Sequence, residues 1–368
     1  MTYRNKDELA KFCISEGANL KMGIKKMDSL RRNVILIVGK DDTLAGILTD
    51  GDVRRAILNG ADLTESLTKF MNKKPISLDC EQANEESIKT IILTKNIRHL
   101  PILEKGVLRD VVFDSDLQKE REFIRQRKDK LDNPVVIMAG GRGMRLNPFT
   151  QVLPKPLLPI GDKTVLEIII EHFLSYQVEE FYLTVNYKSI VIKSYFEELN
   201  PSYKLHYVDE KKPLGTAGSL KYLESKFDVP ILVTNCDILV DVIYPDLVRH
   251  HNEKGYDITM VASLRHYNIP YGICEIIDGG ELKEIKEKPE YSFLVNAGMY
   301  VVNPSILSLI PKDTFYHITH LMDKVKRNGG KVGLYPISEN DWLAMGEWEE
   351  YKNIEDKIKS FTSKMLNT

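Results

Sequence analysis

From Pro134 onward the chain alternates between two kinds of apolar run. PVVIMAG, EEFYLTVN, VPILVTNCD and YDITMVASL are short, rich in β-branched residues and bounded by turn residues, the pattern of buried strands. VLEIIIEHFLSY, SIVIKSYFEEL and AGSLKYLESKF space their apolar residues as helices do. Strands and helices in alternation predict an α/β fold with a mostly parallel, mixed sheet covered on both faces.

The first third reads differently. NLKMGIKKMDSLRRNVILIVGKDDTLAGILTDGD begins at Asn19 and NEESIKTIILTKNIRHLPILEKGVLRDVVFDSD at Asn84. Each runs helix, strand, polar turn, strand, then an acidic turn that opens a helix. Asp52 and Asp116 close the two units, and Ile24 and Ile88 match at the same offset. Units this small cannot bury a core alone, so the two copies are expected to pack on one another. A charged stretch follows, DSDLQKEREFIRQRKDKLDN, stopped by Asp132-Asn133-Pro134 and read as a helical linker. The expected division is 1–125 for the repeat, 126–133 for the end of the linker and 134–368 for the α/β part.

Composition narrows the function classes. The net charge is −2, which gives no electrostatic case for nucleic acid or an anionic membrane surface. No apolar run reaches the roughly 20 residues of a membrane span, and MTYRNKDELAKF has no signal-peptide core. The four cysteines are scattered without Cys-x-x-Cys spacing, so neither a disulfide framework nor a zinc site is expected, and a reducing cytoplasm fits. His317 and His320 lack a carboxylate or thiol cluster beside them and read as ordinary polar residues.

The stretch VVIMAGGRGMRLNPFTQVLPKPLLPI, Val135 to Ile160, carries the chemistry. It is no P-loop, because Gly143-Met144-Arg145 stands where Gly-Lys-Ser/Thr is required, and no dinucleotide fingerprint, because Leu146 replaces the third glycine. Gly140, Gly141 and Gly143 still let backbone N–H groups approach an anion with no Cβ in the way. Arg142 or Arg145 can offer a planar fork to phosphate oxygens. Lys155, fenced by Pro154 and Pro156, is a point charge on a stiff backbone. Asp237 follows VPILVTN and so stands at the carboxyl end of a strand, where open α/β sheets bind ligands.

Taken whole, the stretch resembles the signature of sugar-1-phosphate nucleotidyltransferases, with Ala139 to Leu146, Pro148, Thr150 and Pro154 to Pro159 in place. LGTAGSL, TNCDI, YGI, EKP and NAGMYV follow in that family's order. The resemblance implies a Rossmann-like domain that joins a nucleoside triphosphate to a sugar 1-phosphate and releases pyrophosphate. It implies that Ala139, Gly140, Gly141, Gly143, Met144, Arg145, Lys155, Gly215 and Thr216 hold the nucleotide. Gly272, Glu287, Lys288, Asn296 and Gly298 would hold the sugar phosphate. Arg145, Lys155 and Asp237 would be catalytic, with Asp237 on Mg²⁺.

The N-terminal repeat resembles a pair of CBS domains, which implies an adenosine nucleotide held by Thr49 and Asp52 of GILTDGDVRRAI. The second copy has Phe113 where Thr or Ser is expected, so the first copy is the more credible site. The combination resembles CBS-fused transferases of bacterial surface-sugar pathways, those of legionaminic acid synthesis among them. It implies GTP and glucosamine 1-phosphate as substrates, GDP-glucosamine as product, and a homo-oligomer.

One departure stands out. The family carries a second metal aspartate in Trp-x-Asp-x-Gly, whereas DWLAMGEWEEY puts Ala344 at that position. Asp341 is three residues away, an odd offset that points to the other face of a strand; Glu347 has the same problem and starts a helix. Either Asp237, phosphates and water hold the metal, or the chain is catalytically weak, or Ala344 is an engineered replacement. A degenerate transferase that senses nucleotide or scaffolds another sugar enzyme is the rival reading.

Overall fold

The computed structural model describes residues 4–30, 32–95, 97–113 and 130–346, together with Tyr351 and Ile358. Most of the expected helical linker lies outside these residues, as do Asp116 and Glu347.

The two N-terminal repeats fold alike. In the first, α1 (Lys6–Lys11) and β1 (Cys13–Ser15) precede α2 (Leu20–Leu30), β2 (Val34–Val38), β3 (Leu44–Thr49) and α3 (Asp50–Leu58). In the second, β4 (Leu78–Asp79), α4 (Glu85–Lys95), β5 (His99–Glu104) and β6 (Val107–Phe113) repeat that order. In each unit the first strand runs parallel to the second, which pairs antiparallel with the third. Strands β1 and β4 are too short to show any alternation in sequence. Leu36 and Ile47 of the first unit share one apolar cluster with Leu108, Val111 and Phe113 of the second, the joint core that neither unit could build alone.

The remaining elements are β7 (Val135–Met138), β8 (Pro159–Ile160), β9 (Lys163–Thr164), α5 (Val165–Leu174), β10 (Glu180–Val185), α6 (Ser189–Leu199), β11 (Lys204–Asp209), β12 (Ile231–Asn235), β13 (Ile238–Val240), α7 (Tyr244–Lys254), β14 (Ile258–Asn268), β15 (Ile273–Ile276), β16 (Leu282–Lys286), β17 (Glu290–Val302), α8 (Ile318–Arg327), β18 (Val332–Ser338) and β19 (Trp342–Ala344). Seven of the strands form the main sheet in the order β11-β10-β7-β12-β17-β14-β18. Its pairs are parallel except for the two made by β17, which runs antiparallel to β12 and β14. Both faces are buried, as the apolar runs require. Val135 and Ile137 of β7 pack with Ile169 and Phe173 of α5. Val136, pointing the other way, packs with Leu321 and Val325 of α8. Among the described residues no helix is long and apolar enough to cross a membrane.

One expected helix is not an α-helix. AGSLKYLESKF gives only a 3-10 segment, Gly218–Leu223. The N–H groups of Ala217 and Gly218 donate to Tyr316 O, so this stretch is tied to a neighbouring loop rather than to its own turn. Helical spacing in the sequence cannot register such a tie.

The first repeat meets the sheet along α2 and α3. Leu264 of β14 joins the cluster that contains Leu20, Ile24 and Met27. Arg54 donates to Pro336 O at 2.9 Å and lies over the Tyr335 ring, 4.0 Å from its centroid. Asp28 accepts from the Ser338 hydroxyl, and its carbonyl accepts from Asn340 Nδ2 at 2.8 Å. Burial pushes the Asp28 carboxyl up from its ordinary 3.8 to about 6, with Glu339, Asp341 and Asp50 adding to the effect and Ser338 opposing it.

A carboxyl that holds its proton more tightly folded than unfolded favours the fold fully below pH 3.8, and that contribution disappears as pH rises through about 6. Above that pH the buried charge costs on the order of 3 kcal/mol. Asp28→Asn keeps an acceptor for Ser338 and removes the charge. It should raise the melting temperature at pH 8 and change it little at pH 4; thermal scans showing a lower value at pH 8 would contradict this.

Candidate active site

The glycine loop begins where β7 ends. In the parallel register of β7 and β12, Met138 faces Asn235, so Ala139–Gly140 and Asp237 leave adjacent strands side by side. Gly143 sits at φ 64°, and a Cβ there would lie 2.9 Å from Thr150 Cγ2 and 3.1 Å from Lys155 Cβ. The turn therefore presses directly against the Pro-Lys-Pro segment. Thr150 Oγ1 lies 3.0 Å from both Gly143 O and Asn147 Oδ1, within donating distance of either, and fixes the loop from behind.

Lys155 opens a short 3-10 turn, Lys155–Leu157, and Leu157 and the capping Leu158 are in the core. That anchorage carries the lysine inward: it is only 9% exposed, and its Nζ pairs with Asp237 Oδ2. Met345 N donates to Asp237 O at 2.8 Å, and β13 pairs antiparallel with β19 just beyond, Ile238 opposite Ala344. A methyl group on Gly346 would lie 3.3 Å from Asp237 Oδ2, 3.5 Å from Arg145 Nη2 and 3.7 Å from Lys155 Nζ. The three groups expected to be catalytic thus converge on one point, and the chain passes that point as glycine.

The other expected nucleotide residues flank this cluster. Met144, beside Gly143, is exposed. Gly215 is at φ 76°, and a Cβ on it would lie 2.8 Å from Tyr316 O. Thr216 Oγ1 accepts from Ile318 N at 3.0 Å, so this loop is backed by the entry to α8. His320 Nδ1 accepts from His317 N at 3.3 Å, a contact at the entry to α8.

Glu210 joins the two loops, and no motif or spacing selects it among so many charged residues. It is buried, its Oε2 accepts from Leu214 N at 3.1 Å, and a Cβ on Gly140 would lie 2.8 Å from its Oε1. Burial pushes its carboxyl above the ordinary range against the Leu214 hydrogen bond.

Of the residues expected to hold the sugar phosphate, Gly298 is at φ 83°, where a Cβ would lie 2.6 Å from Asn235 Nδ2. Asn296 accepts from Gly298 N at 2.9 Å and donates to Tyr300 OH at 2.8 Å. Gly298 is therefore held beside Asn235, two residues before Asp237, with Asn296 bonded to it. Gly272 lies against Glu287, where a Cβ would be 2.9 Å from Oε2, and the exposed Lys288 follows at φ 43°. In the first repeat, Thr49 and Asp52 form a capping box on α3. Asp52 Oδ2 accepts from Thr49 N at 2.9 Å and from its hydroxyl, and Oδ1 pairs with Arg55.

The residues present fit a divalent cation in one way only. Among the described residues no three His, Cys, Asp or Glu gather around a common point. Asp237 offers one carboxylate and Ala344 offers no side-chain oxygen. Asp341 is buried, and its carbonyl accepts from Asp241 N at 2.8 Å, further along the β13–β19 pair. One carboxylate suits Mg²⁺ as an ion shared with phosphate oxygens and water.

The chain has relatives among known proteins. The nucleotidyl transferase family model matches residues 134–360 and the CBS domain model matches residues 10–59. The mannose-1-phosphate guanyltransferase of Yarrowia lipolytica is 33% identical over 233 residues, 59% of this chain and 61% of that protein. The UTP–glucose-1-phosphate uridylyltransferase of Synechocystis is 27% identical over 237 residues, again 59% and 61%. The crystal structure of HddC from Yersinia pseudotuberculosis aligns with a TM-score of 0.48 and 23% identity, covering 61% of this chain and 99% of that one. The chain spans about three fifths of the length of the curated relatives it matches. From Pro134 on, with a CBS domain ahead of it, the chain belongs to the nucleotidyl transferase family.

Proposed function

We propose that this chain transfers a guanylyl group from GTP to a sugar 1-phosphate. The observation that carries the reading is the convergence of Arg145, Lys155 and Asp237 on Gly346, at the mouth of the glycine loop. Both reactants are polyanions, so catalysis rests on neutralising and aligning them. A phosphate oxygen of the sugar 1-phosphate attacks the α-phosphorus and forms the new P–O bond. The bond from the α-phosphorus to its bridging oxygen breaks, and pyrophosphate leaves with the electron pair. No covalent protein intermediate is required.

Backbone N–H groups around Gly141 and Gly143 take the triphosphate, and Arg145 compensates the departing phosphates. Lys155 meets the charge that grows on the α-phosphate. Glu287, Lys288 and Asn296 take the sugar phosphate. Mg²⁺, when bound at Asp237, supplies charge compensation across the phosphates. The sugar is proposed to be glucosamine 1-phosphate, from the likeness to CBS-fused transferases of surface-sugar pathways. A regulatory adenosine nucleotide at Thr49 and Asp52 would have to open the α3 cap that these residues form.

Guanine is favoured by Glu210. An ionised carboxylate is acceptor-only, and guanine offers two adjacent donors, N1–H and N2–H₂. Uracil offers a single donor between two carbonyls, and adenine pairs a donor with an acceptor. Relatives named as guanyltransferases are consistent with this choice. Pyrophosphate release from the four triphosphates with a panel of sugar 1-phosphates tests the reading: GTP should be used best. Glu210→Gln should reduce kcat/KM for GTP by about tenfold or more and narrow its advantage over UTP. No release from any pair would leave a nucleotide-binding scaffold as the function, the reading that Ala344 favours.

Ala344 is half-buried at the end of β19, opposite Ile238, the residue that follows Asp237, and two residues before Gly346. Ala344→Asp should lower the Mg²⁺ concentration for half-maximal rate and, by calorimetry, tighten Mg²⁺ binding to the complex with a non-hydrolysable GTP analogue. An unchanged metal dependence would mean that the site works with one carboxylate.

A further inference from the structure

Helix α2 of the first repeat carries Lys21, Lys25 and Asp28, spaced to share one face. That face meets the transferase sheet. Lys25 Nζ pairs with Glu290 Oε2, and Lys21 Nζ lies 3.9 Å from Glu290 Oε1. From the sheet side, His266 Nδ1 lies 3.5 Å from the same Oε1 and 2.8 Å from Ser292 Oγ. The Glu290 side chain is only 14% exposed, so its charge needs these partners. Burial alone would push its carboxyl up; Lys25, Lys21 and His266 together hold it below the ordinary range.

Glu290 is the first residue of β17 and follows Glu287-Lys288-Pro289 directly. Lys288 is held at φ 43°, a backbone conformation that an L side chain adopts only when its surroundings impose it. Pro289 fixes its own φ, and its carbonyl accepts from Ile269 N at 3.0 Å. The place where Glu290 is pinned therefore sets how this loop presents Glu287 and Lys288. Both lysines that pin Glu290 come from the N-terminal repeat.

We infer that Lys25, supported by Lys21, is a positioning residue for the sugar-phosphate loop, so that the first CBS unit is a structural part of the substrate site. The inference rests on the proposed role of Lys288. It makes the Lys25–Glu290 contact a route from α2 to sugar-phosphate affinity, one that does not touch the nucleotide loop built on β7 and β12.

The test compares full-length wild type, Lys25→Met and Lys25→Arg. Lys25 is about half exposed, so loss of its charge should leave the fold intact. Lys25→Met should raise KM for the sugar 1-phosphate by about three- to fivefold, the scale of a partly exposed ion pair, and leave kcat and the KM for GTP unchanged. Lys25→Arg should restore it. An unchanged sugar-phosphate KM, or a parallel loss in kcat and both KM values, would overturn the inference. If wild type releases no pyrophosphate with any pair, the proposed function fails, and hydrogen exchange over residues 286–292 decides the positioning claim separately. Faster exchange in Lys25→Met that Arg reverses supports it, and identical exchange overturns it.

Discussion

A lysine and an aspartate, each largely withdrawn from water, hold one another at the mouth of the glycine loop. Lys155 without Asp237, or Asp237 without Lys155, would leave a charge in a cleft too dry to solvate it well. Much of the structure around them serves to keep the two together. The parallel register of β7 and β12 delivers the loop and the aspartate to the same edge. The packing of Leu157 and Leu158 drives the lysine inward. Gly143 lets the loop lie on the lysine stem, and Gly346 lets the segment after β19 pass close beside the charges. Such a pair is neutral as a unit, yet either partner is available to an incoming group: the ammonium to phosphate, the carboxylate to a cation.

The strands around this pair were legible because buried parallel strands are written as unbroken β-branched runs, and β7, β10, β12 and β14 all follow that rule. The order of the sheet was not. β17 stands between β12 and β14 as the one antiparallel member, and nothing within its thirteen residues encodes which strands it will separate. Pairing over such distances is a property of the whole chain. The site was legible where chemistry demands residue type at fixed spacing, as in the glycine loop and Pro-Lys-Pro. It was illegible where a common residue acquires meaning from its surroundings. Glu210 is one acidic residue among 53 until Gly140 is found against it. Thr49 and Asp52 show the reverse: two residues marked by motif are engaged in capping α3.

The N-terminal repeat and the sheet share more than a polar seam. Leu264 lies in the apolar cluster of the first repeat, and Leu294 packs against it, so part of that unit's core comes from β14 and β17. Asp28 touches the turn that leads toward Ala344 and Gly346, while Lys25 touches the strand that follows Lys288. A single helix thus contacts the approaches to both halves of the site.

The Lys155–Asp237 pair is tested most directly by the affinity of a non-hydrolysable GTP analogue for wild type and Asp237→Asn, measured by calorimetry in EDTA and again in excess Mg²⁺. Without metal, removing the carboxylate leaves Lys155 with uncompensated positive charge beside the phosphates, and the analogue should bind more tightly. With metal, the same substitution removes the cation's protein oxygen, and binding should weaken. The expected result is that reversal of sign between the two media. A change in the same direction in both would contradict the account, because Asp237 would then not stand between lysine, metal and triphosphate.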